Sequence, residues 1–159
     1  MRISQDGLSF VTKEEGFIPH QYLDPVGYPT IGVGHLLRPE ELSSGTVTIN
    51  GVRVDYSDGL TEAQVVQLLR QDLAWSERCV SDSVTVTLSQ QQFDALVSFV
   101  FNVGCANFAR STLLRLLNLG SYNAVPSQLA RWVYANKIKL PGLVARRRRE
   151  GELFQDGTY

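Results

Sequence analysis

Cysteine is scarce in this chain: Cys79 and Cys105 are the only two in 159 residues. Two thiols do not make the framework that staples small secreted domains. Isolated cysteines act more often as small buried hydrophobes, so two unpaired thiols are expected, although spacing alone does not say whether they meet. Long apolar runs are also missing. No segment reaches the ~18 apolar residues of a membrane span, so stable membrane insertion is not expected. The first residues, Met1 to Leu8, contain no apolar stretch followed by small residues. No signal peptide is therefore visible, and accumulation in the cytoplasm of the producing cell is expected. No His or Cys cluster has metal-ligand spacing, and no glycine-rich loop precedes a helix in the phosphate-binding pattern. Neither a metal nor a nucleotide cofactor is expected. Internal repeats, low-complexity stretches and a nucleic-acid recognition motif are absent as well.

What is present fits a globular domain: 43% hydrophobic and 19% charged residues, ordinary proportions for a packed core. The net charge of −1 conceals an asymmetry. Residues 1–109 hold 6 Lys and Arg against 13 Asp and Glu, whereas residues 110–159 hold 9 against 3. A basic half can favour an anionic partner, or can simply be a basic half.

Periodicity orders the elements. Ile3, Leu8, Phe10 and Val11 give a first helix of about 11 residues an apolar face, ending near Glu14 or Glu15, with Gly16 as the stop. Short β-prone runs broken by Pro and Gly follow over 17–36 and predict a hairpin or small sheet. Asn50-Gly51 between alternating apolar runs predicts a second hairpin over 46–55. Thr61 and Gln64 form a reciprocal cap for a long helix, and Ser89 caps another whose Phe93, Leu96, Val97, Val100 and Phe101 predict burial. Further helices are expected around Leu113–Leu117, over 122–134 with Trp132 and Tyr134 in the core, and over 143–154 after Pro141-Gly142. The fold class is α+β in one domain. A β-containing lobe spans about 1–60, a connecting helix about 61–81 and a helical lobe about 82–159, with a cleft between the lobes as the natural site.

Residues 14–37 carry most of the functional information. Glu15 stands at a helix end, Asp24 follows nine positions later in a turn, and Thr30 comes six after that. Glycosidic bond hydrolysis uses one carboxyl group to protonate the leaving oxygen and a second to handle water or the oxocarbenium charge. Two acids and a hydroxyl are weak evidence alone, since Asp is common in turns and Thr in strands. The string around them is more specific: Glu15-Gly16, then Tyr22-Leu23-Asp24, then Thr30-Ile31-Gly32-Val33-Gly34-His35.

That string resembles the phage-type lysozymes, a glycoside hydrolase family (family 24) that includes the T-even and lambdoid endolysins. The resemblance continues through Gln71-Asp72, Phe101-Asn102-Val103-Gly104, Arg131-Trp132, Gly142-Leu143 and Glu152-Leu153-Phe154, and departs between Leu36 and Leu60. It implies a lysozyme-like fold and cleavage of the β-1,4 bond between N-acetylmuramic acid and N-acetylglucosamine in peptidoglycan. Glu15 would be the general acid, with Asp24 and Thr30 positioning water or stabilising charge. His35 would pair with Asp72, and Arg146 with Glu14. Asn102 and Gly104 would bind substrate. Arg147, Arg148 and Arg149 are expected to act as a positive surface toward an anionic wall, and His20 as an exposed loop residue. The family's setting also implies a monomer released to the wall by a separate holin. A lytic transglycosylase needs no second residue to hold water, so Asp24 and Thr30 argue against it; a wall-binding module without catalysis would not need all three.

Overall fold

The computed structural model describes residues 1–159. Its contacts divide into two compact units, one of Val11–Ala74 and one of Met1–Phe10 with Trp75–Tyr159. The first ten residues thus group with the C-terminal part of the chain, where the sequence reading puts them with the β lobe. No helix is long and apolar enough to cross a membrane.

In the unit of residues 11–74, α1 (Gln5–Glu15) ends where Gly16, with φ +83°, sends its N–H back to Thr12 O at 2.9 Å. Strands β1 (Ile18–Leu23), β2 (Pro29–Gly32) and β3 (His35–Leu36) form an antiparallel sheet in that order. A short helix, α2 (Pro39–Ser44), follows in the stretch that departs from the family pattern. Pro39 opens it, and Glu41 reaches back to accept from the Arg38 N–H at 3.0 Å, the reciprocal half of a helix-start cap. The expected second hairpin is β4 (Thr46–Ile49) with β5 (Val52–Asp55); its turn residues Asn50 and Gly51 both have positive φ, 51° and 78°. Asn50 and Gln71 tie it to α3 (Glu62–Ser83): Gln71 Oε1 accepts from Asn50 N and Gln71 Nε2 donates to Thr48 O. Ile31, Val33, Val47, Ile49, Val65, Leu68 and Leu73 make the core of this unit.

Thr61 and Gln64 cap α3 as their spacing predicts: Gln64 N donates to Thr61 Oγ1 at 3.2 Å and Thr61 N to Gln64 Oε1 at 2.9 Å. Ser89 and Gln92 repeat the motif at α4 (Gln90–Val103). Every residue of α4 from Phe93 to Val100 is buried, as its apolar periodicity predicts, whereas Phe101, expected to join them, is half-buried. After α4 come α5 (Cys105–Ala109), α6 (Thr112–Asn118), α7 (Val125–Leu129) and α8 (Pro141–Asp156); α5 and α8 pack on α4, and α7 packs on α8. Asp94 draws both chain ends together, accepting from Ser4 N, Ser4 Oγ and Tyr159 Oη.

Four expectations are corrected in this unit. Cys79 and Cys105 form a disulfide; their Cα atoms are 5.9 Å apart, inside the range a bridge requires. The expected helix over 122–134 is one turn of 3-10 helix and α7, followed by a tight hairpin of β6 (Tyr134–Ala135) and β7 (Ile138–Lys139). Asn136 and Lys137 both take positive φ there, which no helix permits. Tyr134, expected in the core, is therefore exposed, while Trp132 is half-buried with its ring edge against Phe99. Arg147, expected as a surface charge, is 1% exposed. Its guanidinium bonds Glu150, Trp132 O and Asn102 Oδ1 and lies over the Phe99 ring.

Candidate active site

The segment running from the end of α1 through β2 assembles Glu15, Tyr22, Asp24 and Thr30 within the unit of residues 11–74. The β1–β2 register pairs Tyr22 with Thr30 and Leu23 with Pro29, so the connecting turn begins at Asp24. Asp24 does more than occupy it. Its Oδ1 accepts from Val26 N at 3.0 Å and from Tyr28 N at 2.8 Å, the side chain acting as a backbone mimic in the turn. Its own N–H donates to Tyr28 O at 2.9 Å. Thr30 Oγ1 donates to the same carbonyl at 2.9 Å. The main chain of Tyr28 is thus a shared strut for Asp24 and Thr30. It fixes a carboxylate and a hydroxyl relative to each other through three bonds that need no particular side chain at position 28.

These bonds also set the chemistry. Thr30 is 2% exposed and spends its hydroxyl hydrogen on Tyr28 O, so toward a ligand its oxygen is an acceptor. Both turn bonds to Asp24 fall on Oδ1, which leaves Oδ2 to accept elsewhere. Glu15 is half-buried, and its carboxyl group lies against Gly34. A Cβ at position 34 would stand 3.1 Å from Glu15 Oε2, and φ of +71° already disfavours any side chain there.

Next to Gly34, β3 presents His35 to two carboxylates. Nδ1 lies 2.8 Å from Asp72 Oδ2 on α3, and Nε2 lies 3.0 Å from Glu41 Oε2 on α2. An imidazole that faces an acceptor on each nitrogen is best satisfied when both carry hydrogen. Burial pushes the His35 pKa down, but the bonds to Asp72 and Glu41 more than reverse that and hold it above 6.5. Glu41 is 5% exposed. Burial pushes its pKa up; the bonds from Arg38 and His35 overcome this and hold it below 4.5.

Of the other residues singled out in the sequence, Arg146 is buried on α8, with Nε bonded to Glu150 Oε1 at 3.1 Å and Nη2 to Ser98 O at 3.2 Å. Asn102 is exposed in the last turn of α4 and accepts from Arg147, and Gly104 joins α4 to α5 with φ +89°. His20 is exposed on β1 rather than in a loop. No group of three or more His, Cys, Asp or Glu side chains is arranged to hold a metal. Sequence reasoning misses Glu41 because it lies where the family pattern lapses. It finds Tyr22 only as part of a motif; the place of Tyr22 two residues before Asp24 on a strand is the available signal.

The Phage lysozyme family model matches residues 12–150. The chain belongs to the phage lysozyme family. It is therefore a lysozyme-type glycoside hydrolase with the α+β fold of that family. Among curated relatives, the endolysin of Salmonella phage P22 is 41% identical over 157 residues, covering 97% of this chain and 98% of the relative. Among solved structures, a point mutant of P22 lysozyme aligns with TM-score 0.81 at 39% identity, over 97% of this chain and 98% of that one. The muramidase domain of SpmX from Asticaccaulis excentricus aligns with TM-score 0.78 at 30% identity, over 97% of each chain.

Proposed function

We propose that this phage lysozyme family member is a peptidoglycan-lytic endolysin that cleaves the β-1,4 bond between N-acetylmuramic acid and N-acetylglucosamine, using Glu15 as general acid and Asp24 and Thr30 to hold the attacking water. The observation that carries the reading is the Tyr28 strut, which joins Asp24 and Thr30 as a fixed pair of acceptors. A water donating one hydrogen to Asp24 Oδ2 and the other to Thr30 Oγ1 turns a lone pair outward, toward an anomeric carbon. As the bond to the leaving oxygen breaks, Glu15 gives it a proton. Asp24 stabilises the positive charge that spreads over the sugar ring and takes a proton from the water. With water in line opposite the leaving group, the outcome is inversion, as phage-type enzymes are usually read. No metal or nucleotide has a part in these steps.

A transglycosylase reading needs no residue to hold water, and the strut would then have no chemical purpose. The partner in this account is peptidoglycan, met by a monomer in the periplasm after release from the cytoplasm of the producing cell by a separate holin. Neither nucleic acid nor membrane insertion has a part. Arg146 is proposed to pair with Glu14 beside the general acid, and Asn102 and Gly104 to contact substrate. Clearing of permeabilised Gram-negative cells by the purified chain tests the activity. Loss of clearing in a folded Glu15→Gln variant supports the assignment of the acid, and retained clearing refutes it.

A further inference from the structure

Tyr22 stands opposite Thr30 in the β1–β2 register and two residues before Asp24. Side chains alternate faces along a strand. Tyr22 therefore shares a face with Asp24, whereas Leu23 between them points away and is 66% exposed. Cross-strand partners have Cβ atoms about 4.5–5.5 Å apart, so the Tyr22 ring is a neighbour of Thr30. It is half-buried, and no protein acceptor takes its hydroxyl proton. Burial, then the charge of Glu15, then that of Asp24 hold the phenol above its ordinary 10.0. The neutral phenol keeps its O–H beside the carboxyl groups of Glu15 and Asp24.

The site is otherwise rich in acceptors. Asp24 accepts only, and Thr30 has committed its hydrogen to Tyr28 O. An N-acetylhexosamine carries hydroxyl and amide oxygens that need donors once water is excluded. Tyr22 supplies one from the same sheet face.

We propose that Tyr22 is a further substrate-contacting residue, its phenol O–H donating to an acceptor oxygen of the N-acetylhexosamine held between Glu15 and Asp24. This rests on the muramidase reading. A hydrogen bond of neutral partners is typically worth enough to change kcat/KM roughly three- to tenfold.

The test uses Tyr22→Phe, which removes only the hydroxyl. It should lower kcat/KM on peptidoglycan by that factor with an unchanged melting temperature. In the Glu15→Gln background, where nothing is cleaved, it should weaken binding of an N-acetylglucosamine oligomer by a similar factor. Equal kcat/KM and equal affinity with and without the hydroxyl overturn the contact while leaving the muramidase reading intact. Failure of the unmodified chain to cleave, with oligomer binding still dependent on the hydroxyl, overturns hydrolysis and leaves the contact standing. Should Tyr22→Phe not fold, a fluorinated tyrosine at position 22 keeps the shape and lowers the phenol pKa. The more acidic O–H is a stronger donor, so oligomer affinity in the Glu15→Gln background should rise; an unchanged affinity overturns the proposal.

Discussion

Gly34 leaves Glu15 its place: a Cβ on residue 34 would come within 3.1 Å of Glu15 Oε2. The acid is held by a gap in the opposing chain as much as by bonds. Gly34→Ala should therefore fail twice. A side chain at φ +71° costs about 1–3 kcal/mol, visible as a lower melting temperature. The added methyl group also pushes the carboxyl group aside, so kcat should fall well beyond what the stability loss explains at temperatures where the variant is fully folded. Wild-type kcat in folded Gly34→Ala would mean that Glu15 tolerates displacement.

The His35 bridge gives stability a defined pH window. His35 has its pKa raised above 6.5, so its contribution is fully present below that value and is lost as pH climbs through the folded one. Glu41 has its pKa lowered below 4.5, so its contribution is present above that value and is lost as pH falls through the folded one. The bridge should stabilise most between these limits. Replacing His35 with Asn should lower the melting temperature chiefly in mildly acidic buffer and least at alkaline pH, and a double-mutant cycle with Asp72→Asn should show coupling that shrinks as pH rises. A pH-independent penalty, or no coupling, would contradict this account.

Arg147 and Arg148 are adjacent in sequence yet should behave differently. Arg147 is buried with Glu150; removing it strips Oε2 of its charged partner while Arg146 and Ser98 still hold Oε1, a loss of about 1–3 kcal/mol before the lost packing on Phe99. Arg147→Ala should be strongly destabilised at any salt concentration. Arg148 is 72% exposed, 3.8 Å from Glu152. Arg148→Ala should melt nearly as the parent does and slow wall clearing only at low ionic strength, where screening is weak. Similar melting temperatures for the two variants would refute the division.

The disulfide between Cys79 and Cys105 spans 26 residues. Closing a loop of that length in the unfolded chain is worth about 3.5 kcal/mol in the chain-entropy model. Reduction, or Cys79→Ala with Cys105→Ala, should lower the denaturation midpoint accordingly and leave cleavage of permeabilised walls intact at low temperature. An unchanged midpoint on reduction would show that the bridge contributes nothing.

These residues show how far the sequence can be read. Elements written by local physics are legible: the Thr61 and Ser89 caps, the Asn50-Gly51 turn, and the 11 residues of α1 with Glu15 at its end. Features decided by tertiary packing are not. Four consecutive arginines turn through all sides of a helix, but which two face inward depends on α4 and its Ser98, Phe99 and Asn102. The apolar spacing of Leu129, Trp132 and Val133 suits a helix, yet Asn136 and Lys137 reverse the chain before it can continue. Cysteine separation carries no distance information, so the bridge is invisible. The proposed catalytic trio is legible as a motif, but the Tyr28 strut uses only the main chain of residue 28, which no residue type there announces.

Mass analysis of the fragments released from purified peptidoglycan tests the central claim most directly. Hydrolysis by a water held between Asp24 and Thr30 predicts muramic acid ends that have gained one water, at a rate cut sharply by Thr30→Ala and to background by Glu15→Gln, with both variants folded. Anhydro ends lacking that water, or an undiminished yield of hydrated ends from either variant, would contradict it.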